Sequence, residues 1–488
     1  MLDINLFRAD KGGDPEKIRE SQRRRYADVD LVDKVIELDA KWVAARFQLD
    51  ECNRKLNAAQ KEIGARRKAK QDDSDLQKVR VEAKEEIEVQ TKVEQEMAAE
   101  RDAALKLIGN LVHDSVPVSD DEENNTVERT FGVPRDVANP DEKLFNHVDL
   151  VQMLDIAKLE EGQAVAGGRG YYLVGAGMML NQALINYATQ FLYLRGHTPV
   201  HTPFMMRKTV MGACAQLSEF DEALYHVSGE GEDKYLIATS EQTLCAMHQG
   251  MWLEAPSLPM KYAGYSTCFR KEAGSHGRDT AGIFRVHQFE KVEQFVITTH
   301  EGNSSWEEME QMIKNSEDFY QSLEIPYKVI NIVSGELNDA AAKKYDLEAS
   351  FPASKTFREL VSCSNCTDFQ SRRLEVRLRS QTGPGAKEKE YVHMLNSTLT
   401  ATERTLCCLL ENYQTPEGVR VPTALQPFMC GIKFVPFVKK LDKKGKLVAI
   451  PAAEVEKAKA AAEESAAPAV NAELAEALNK LCKVWNTQ

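Results

Sequence analysis

A heptad seam near the N-terminus constrains this chain more than any other feature. Leu31, Val35, Leu38, Trp42, Ala45, Leu49, Cys52, Leu56, Ala59 and Ile63 follow one another at alternating steps of four and three, the spacing that holds one narrow stripe on one side of a helix. Gly64 and the polar run Gln71-Asp72-Asp73-Ser74-Asp75 interrupt it. A weaker stripe follows through Leu76, Val79, Ala83, Gln90, Val93, Met97, Ala104, Leu107 and Leu111, with Glu86 and Glu100 also on it. Two helices of similar length joined by a polar turn predict an antiparallel hairpin over about residues 31–111. Its first helix, roughly 33 residues, would reach about 50 Å at 1.5 Å per residue. So narrow a seam can bury only against its mate, so the hairpin should project into solvent. It is either a dimerisation coiled coil or a rod that reaches a distant part of a large substrate. Arg66, Arg67, Lys68 and Lys70, near its tip, could then meet phosphates.

At 488 residues the chain exceeds one hydrophobic core, and its composition divides it. Residues 1–120 form an N-terminal domain that carries the hairpin. Residues 113–130, with Asp120-Asp121-Glu122-Glu123-Asn124-Asn125, are polar and acidic and read as a linker. Residues 121–435 mix short β-like runs with amphipathic helices, the pattern of an α+β domain. Residues 436–488 begin with Lys439-Lys440-Leu441-Asp442-Lys443-Lys444-Gly445-Lys446 and become Ala/Glu-rich, which predicts a flexible, partly helical extension.

No apolar run approaches the roughly 18 residues a membrane helix needs. The first ten residues, Met1 to Asp10, lack the basic start and apolar core of an export signal. A cytosolic protein without membrane association is expected. Ten cysteines are scattered, and only Cys363-Ser364-Asn365-Cys366 has metal-like spacing; without a second pair or spaced histidines, no zinc is expected. The formal charge of −13 argues against a protein that coats nucleic acid indiscriminately. Local basic patches, Arg23-Arg24-Arg25 and Arg66 to Lys70, keep a nucleic-acid partner open, although each could equally be a solvated helix face.

The chemistry concentrates between residues 269 and 293. Phe269-Arg270-Lys271-Glu272-Ala273-Gly274-Ser275-His276-Gly277-Arg278-Asp279-Thr280 leads through Phe284-Arg285-Val286-His287-Gln288-Phe289 to Glu293. Strand-like flanks, Cys268-Phe269 and Val292 to Val296, enclose a Gly-rich turn. Such a hairpin can hold guanidinium groups over a triphosphate while carboxylates face an amine. The block resembles, residue for residue, the second signature motif of class II aminoacyl-tRNA synthetases, and within that class the seryl-tRNA synthetases. Met178 to Pro203 reads as a helix, a Gly196 turn and a strand, and resembles the first motif, which implies a homodimer. Asn396 to Arg404, followed by a helical run to Gln414, resembles the third. The implied fold is an antiparallel sheet flanked by helices, with the N-terminal coiled-coil arm holding tRNA.

That resemblance assigns roles residue by residue. Arg270 would bind the ATP α-phosphate and the serine carboxylate, and Glu272 the adenine. Arg285 and Arg404 would clamp the γ-phosphate from opposite sides, Phe289 would stack on adenine, and Lys271 and Val286 would join the ATP site. Glu359-Leu360-Val361-Ser362 resembles the loop that meets ATP and metal, with Glu359 and Ser362 as oxygen ligands suited to Mg²⁺. Thr239-Ser240-Glu241 resembles the serine-binding loop; by itself it suits a helix N-cap equally well. Glu293 would receive the α-ammonium of serine, while Asn396, Thr398 and Glu241 would read its hydroxyl. Together these imply ATP-dependent ligation of serine to tRNA(Ser) through a seryl-adenylate, extending to selenocysteine tRNA where the organism has one. No Walker-type loop and no class I His-x-Gly-His or Lys-Met-Ser-Lys signature is present. The competing readings are a catalytically silent RNA-binding scaffold and a ligase for another small amino acid; the presence of Arg270, Arg285, Glu293 and Arg404 speaks against the first.

Overall fold

A computed structural model describes residues 1–135, 144–214, 223–229, 231–272, 281–379, 389–442 and 444–465. The turn Gly277-Arg278-Asp279-Thr280 and the Ala/Glu-rich sequence after residue 465 lie outside the described residues.

Helix α1, Pro15–Arg24, starts with Pro15 at its first position, and the Asp14 carboxylate caps the Glu16 and Lys17 amides. Helices α2, Asp30–Lys68, and α3, Ser74–Leu105, form an antiparallel hairpin. The pairs Trp42 with Glu94, Cys52 with Glu86 and Arg66 with Asp75 fix its direction. α2 does not break at Gly64 but runs on to Lys68, giving 39 residues and about 58 Å. One mid-helix glycine costs only about 1 kcal/mol.

The second stripe differs from the one expected from apolar identity. On α3 the side toward α2 runs through Leu76, Arg80, Ala83, Ile87, Gln90, Glu94, Met97, Arg101 and Ala104, again at steps of four and three, while Val79, Val93 and Leu107 are exposed. Polar seam residues find partners. Trp42 Nε1 donates to Glu94 (3.0 Å), the Arg101 guanidinium lies 4.5 Å from the Trp42 ring centre, and Arg8 grips Asp39 at 2.7 and 2.8 Å.

The body is one eight-stranded sheet. Its strands are β1 (Thr126–Phe131), β2 (Thr198–His201), β3 (Met260–Phe269), β4 (Gln288–Thr298), β5 (Tyr327–Asn331), β6 (Lys343–Phe351), β7 (Thr356–Asn365) and β8 (His393–Ala401). They lie in the order β1-β5-β6-β7-β8-β4-β3-β2, antiparallel throughout except for the parallel pair β2 and β3. Residues 126–130, expected in a linker, are instead paired with β5 as an edge strand. Helices α4 (Ala176–Tyr193), α6 (Ser304–Ser322) and α8 (Thr402–Tyr413) cover one face, burying Leu184, Ile313, Phe319, Val292, Leu347 and Leu406 in the main core. Short helices α5 (Ser240–Ala246) and α7 (Phe369–Leu374) lie on the other face. That leaves a cleft over the middle strands.

The start of the C-terminal extension is ordered rather than loose. Lys439–Leu441 pairs with Leu447–Ala449 as a β-hairpin, Lys439 Nζ meets Asp155 at 2.9 Å, and helix Ala452–Ser465 follows. Among the described residues no helix is long and apolar enough to cross a membrane.

Candidate active site

Alternation along β4 places Phe289, Lys291 and Glu293 on the cleft side, while Val292 and Val296 enter the main core. β8 adds Asn396 and Thr398. On β7 a bulge shifts the register against β6, so that Glu348 pairs with Glu359 and Leu347 with Val361, leaving Leu360 as the extra residue. The bulge brings Glu359 into the cleft with Ser362 and Ser364. Val361 sits on the opposite face, fully buried in the core.

The cleft has two joined compartments. Arg270, Glu272, Phe284, Arg285, Val286, Phe289, Leu360 and Arg404 line the first. Thr239, Glu241, Glu293, Ser362 and Asn396 line the second. Arg270, Lys291, Glu359 and Thr398 border both. Of the expected residues, Lys271, Ser240 and Val361 do not line the cleft. Ser240 lies beneath it, its Oγ bonded to Glu293.

The first compartment is cationic. Arg285 stands 3.5 Å from Glu272. The Nε atoms of Arg270 and Arg285 are buried without a hydrogen-bond partner among the described residues, which is costly unless an anion arrives. Arg270 lies 5.3 Å from the Phe289 ring centre and Arg404 5.2 Å from that of Phe284. Burial lowers the Arg404 pKa, and Arg270 and Arg285 act in the same direction. Burial pulls Glu359 upward, but Lys344, Arg404, Arg270 and Lys291 outweigh it and hold its carboxyl below the usual range. Protein crowds this carboxylate on its sides while its open side faces the cleft.

The second compartment is organised around Glu293, which is 1% exposed. Its Oε2 accepts from Thr239 Oγ1 (2.6 Å), Ser240 Oγ (2.8 Å) and the Glu241 amide (2.9 Å). Its Oε1 faces Lys291 Nζ at 3.7 Å. Thr239 is the N-cap of α5 and bonds Glu293 at the same time. Glu241 accepts from Gln370 Nε2 at 2.7 Å; burial and the neighbouring Glu293 push its carboxyl up to about 7.

Several contributors escaped sequence reasoning. Lys291 follows from the period of β4. Gly264 pairs with Glu293, and a Cβ there would come within 2.8 Å of Ser240 Oγ and 2.7 Å of Leu244 Cδ1. Asp346 lies across from Ser362, with its Oδ1 buried and without a hydrogen-bond partner among the described residues; burial and Glu359 raise its pKa to about 7. Glu403 backs the first compartment, accepting from Tyr171 Oη at 2.8 Å and the Glu290 amide at 3.0 Å. Only the fold, not any local pattern, brings Glu403 to the cleft and Gly264 and Asp346 behind its wall.

Residues 1–112 match the seryl-tRNA synthetase N-terminal domain model, and residues 225–413 match the tRNA synthetase class II core domain (G, H, P, S and T). The serine–tRNA ligase of Helianthus annuus is 59% identical over 443 residues, 91% of this chain and 100% of that protein. The chain belongs to the seryl-tRNA synthetase family. Another member, the cytoplasmic serine–tRNA ligase of Arabidopsis thaliana, is 57% identical over 91% of this chain and 99% of its own length. Among solved seryl-tRNA synthetases, the cytoplasmic Naegleria fowleri enzyme in complex with AMP superimposes with a TM-score of 0.81 at 54% identity, covering 90% of this chain and 99% of that one. The Pyrococcus horikoshii enzyme complexed with ATP gives the same TM-score at 38% identity, over 90% of this chain and 100% of that one.

The basic patches separate on inspection. Arg23 pairs with Glu16 and Glu20, while Arg24 and Arg25 bond backbone carbonyls, so this patch is structural. At the hairpin tip Arg66 meets Asp75 (2.8 Å) and Arg67 meets Asp73 (2.7 Å). Lys68 and Lys70 are exposed and, among the described residues, make no ion pair. Cys363 and Cys366 are both buried, and their thiols engage different partners, Met309 O and Asn396 Nδ2.

Proposed function

We propose that this protein ligates serine to tRNA(Ser) in the cytoplasm, through a seryl-adenylate made in the two joined compartments. The observation that carries the reading is the shared border: Arg270 and Lys291 stand where a triphosphate in one compartment would meet a carboxylate in the other. The serine carboxylate attacks the α-phosphorus, the new O–P bond forms, and the α–β bridge breaks with release of pyrophosphate. The carboxylate is itself the nucleophile, so no general base is needed. The rate comes from positioning and from cations that neutralise approaching anions. The tRNA 3′-hydroxyl then attacks the acyl carbon and AMP leaves. The same adenylate serves selenocysteine tRNA in an organism that has one.

Within this reading Arg270 holds the α-phosphate, and Arg285 and Arg404 hold the γ-phosphate. Phe289 stacks on adenine beside Glu272 and Val286, and Glu293 receives the serine ammonium. Asn396, Thr398 and Glu241 meet the hydroxyl. A missing methylene is worth only about 1–3 kcal/mol in a pocket, so hydrogen bonds to that hydroxyl must set specificity. Mg²⁺ suits one or two carboxylates together with phosphates. Glu359 and Ser362 would hold it, with Asp346 behind them across from Ser362; when bound it would supply charge neutralisation on the phosphates. The division into residues 1–120, 121–435 and 436–488, the arm's tRNA contact through Lys68 and Lys70, and a homodimer through α4 and β2 belong to the same proposal.

The test is amino-acid-dependent ATP–pyrophosphate exchange with serine, alanine, threonine and cysteine. Exchange strongest with serine and abolished by Arg270→Ala is expected. Absence of exchange with every amino acid, from folded protein supplied with Mg²⁺, would overturn the reading in favour of a silent scaffold.

A further inference from the structure

The outer wall of the amino-acid compartment is not made by the sheet. It is the irregular stretch 337–341, of which Asn338, Asp339 and Ala340 line the cavity. Backbone groups in such a stretch need partners once water is excluded. Here all five consecutive carbonyls are held by two residues of the N-terminal segment. Arg25, at the end of α1, donates from Nη1 to the carbonyls of Leu337 (3.3 Å) and Asn338 (3.1 Å), and from Nη2 to that of Ala341. The Asn110 amide donates to the Asp339 carbonyl at 2.7 Å, and Asn110 Nδ2 donates to that of Ala340 at 2.8 Å.

The two residues are also tied to each other and to the far side of the pocket. Arg25 Nε donates to the Asn110 carbonyl at 2.8 Å. Asn110 Nδ2 further donates to the Cys366 carbonyl and to Thr367 Oγ1, both at 2.9 Å. Those residues lead directly into α7, whose Gln370 bonds Glu241. Gly109 leaves room for the guanidinium: a Cβ there would lie 3.0 Å from Arg25 Cδ and Nε.

Arg25 is 7% exposed, and its hydrogen bonds go to carbonyls rather than to a carboxylate. Burial brings its pKa down to about 10 against the opposing pull of the Asp339 charge. A buried charge without a hydrogen-bonded counter-charge is a poor way to stabilise a fold when apolar packing would serve. What a planar fork offers here is geometry, several donors fixed relative to one another.

We propose that Arg25 and Asn110 are positioning residues for the amino acid, setting the wall Asn338–Ala340 and the approach of α7 from outside the catalytic sheet. This rests on the serine-activating reading above. It makes the N-terminal segment part of the amino-acid pocket as well as the root of the arm.

Exchange kinetics on the full chain test it, with serine and ATP each varied. Asn110→Asp replaces the amide donors with acceptors that face three oxygens, and Arg25→Lys keeps the charge but loses the fork. Each is expected to raise the serine KM at least tenfold while the ATP KM stays within twofold. Where Arg25→Lys does not fold, Gly109→Ala, which displaces the guanidinium by tenths of an ångström, is expected to raise the serine KM severalfold. An unchanged serine KM in folded variants, or serine and ATP KM rising together as in general loosening, overturns the proposal. Serine-dependent exchange by the unaltered protein is the separate check on the ligase reading.

Discussion

Glu293→Gln is the substitution from which the pocket's geometry predicts most. Glutamine has the same volume but only one oxygen. Three donors converge on Oε2 of Glu293, from Thr239, Ser240 and the Glu241 amide, and they will claim that single oxygen. The amide NH₂ must then point where Oε1 now faces Lys291, which is also where the serine ammonium is proposed to sit. A hydrogen bond to a charged group is worth roughly 1.5–3 kcal/mol, and leaving a cation against NH₂ hydrogens adds about 1 kcal/mol. A total of about 2.5–4 kcal/mol corresponds to a ~70- to 900-fold loss in kcat/KM for serine. The three donors keep their acceptor and no cavity opens, but the buried Lys291 loses the carboxylate it faces, so the melting temperature should fall by several degrees while the protein still unfolds cooperatively. The assay is serine-dependent ATP–pyrophosphate exchange beside a thermal melt. A loss of less than tenfold with a cooperative melt would refute the assignment of Glu293 to the ammonium.

Three further outcomes are expected. Gly264→Ala drives a Cβ into Ser240 and Leu244, so exchange should fall with a loss of about 1–3 kcal/mol of stability, measured by denaturant unfolding. Burial raises Glu403 from 4.5 to about 7; a carboxyl raised on folding contributes stability fully present below pH 4.5 and lost as pH climbs through 7. Glu403→Gln, which can donate to Tyr171 while Tyr171 donates to the Gln288 carbonyl, should therefore gain up to roughly 3 kcal/mol over the native protein between pH 5 and pH 8; a pH-independent difference would contradict this. Lys68→Glu with Lys70→Glu should raise the tRNA KM and flatten its salt dependence by about one log unit per lysine, leaving serine exchange unchanged.

What the sequence disclosed and what it hid follow from range. Arg270, Glu272, Arg285 and Phe289 lie within 20 residues on one β-hairpin, so a short window carries most of the phosphate site. The first heptad seam was legible because each of its positions is apolar or small. The second was not, because Arg80, Gln90, Glu94 and Arg101 occupy seam positions, Glu94 and Arg101 through their contacts with Trp42 across the hairpin. Apolar identity therefore pointed to Val79 and Val93, which face solvent. Gly264, Asp346 and Glu403 could not be found locally, since their roles exist only through β3 beside β4, β6 beside β7, and Tyr171 behind α8. The edge strand β1 was hidden for the same reason: Thr126 to Phe131 is exposed along its whole length, and only pairing with β5 makes it a strand.

The site also reconciles an acidic protein with a polyanionic substrate. The chain carries a net −13, yet Arg270, Arg285, Arg404 and Lys291 all reach one cleft. Glu272 and Glu359 stand among these cations as their partners, but Glu241, Asp346 and Glu403 around them are pushed to about 7 by burial, so near neutrality a large share of each is uncharged. The cations are thus under-compensated before ATP arrives. Negative charge entering the cleft pushes those carboxyls further toward the neutral form, so binding the triphosphate removes part of the repulsion it would otherwise meet. Burial that costs stability as pH rises is, in the cleft, what reduces the negative charge facing the arginines.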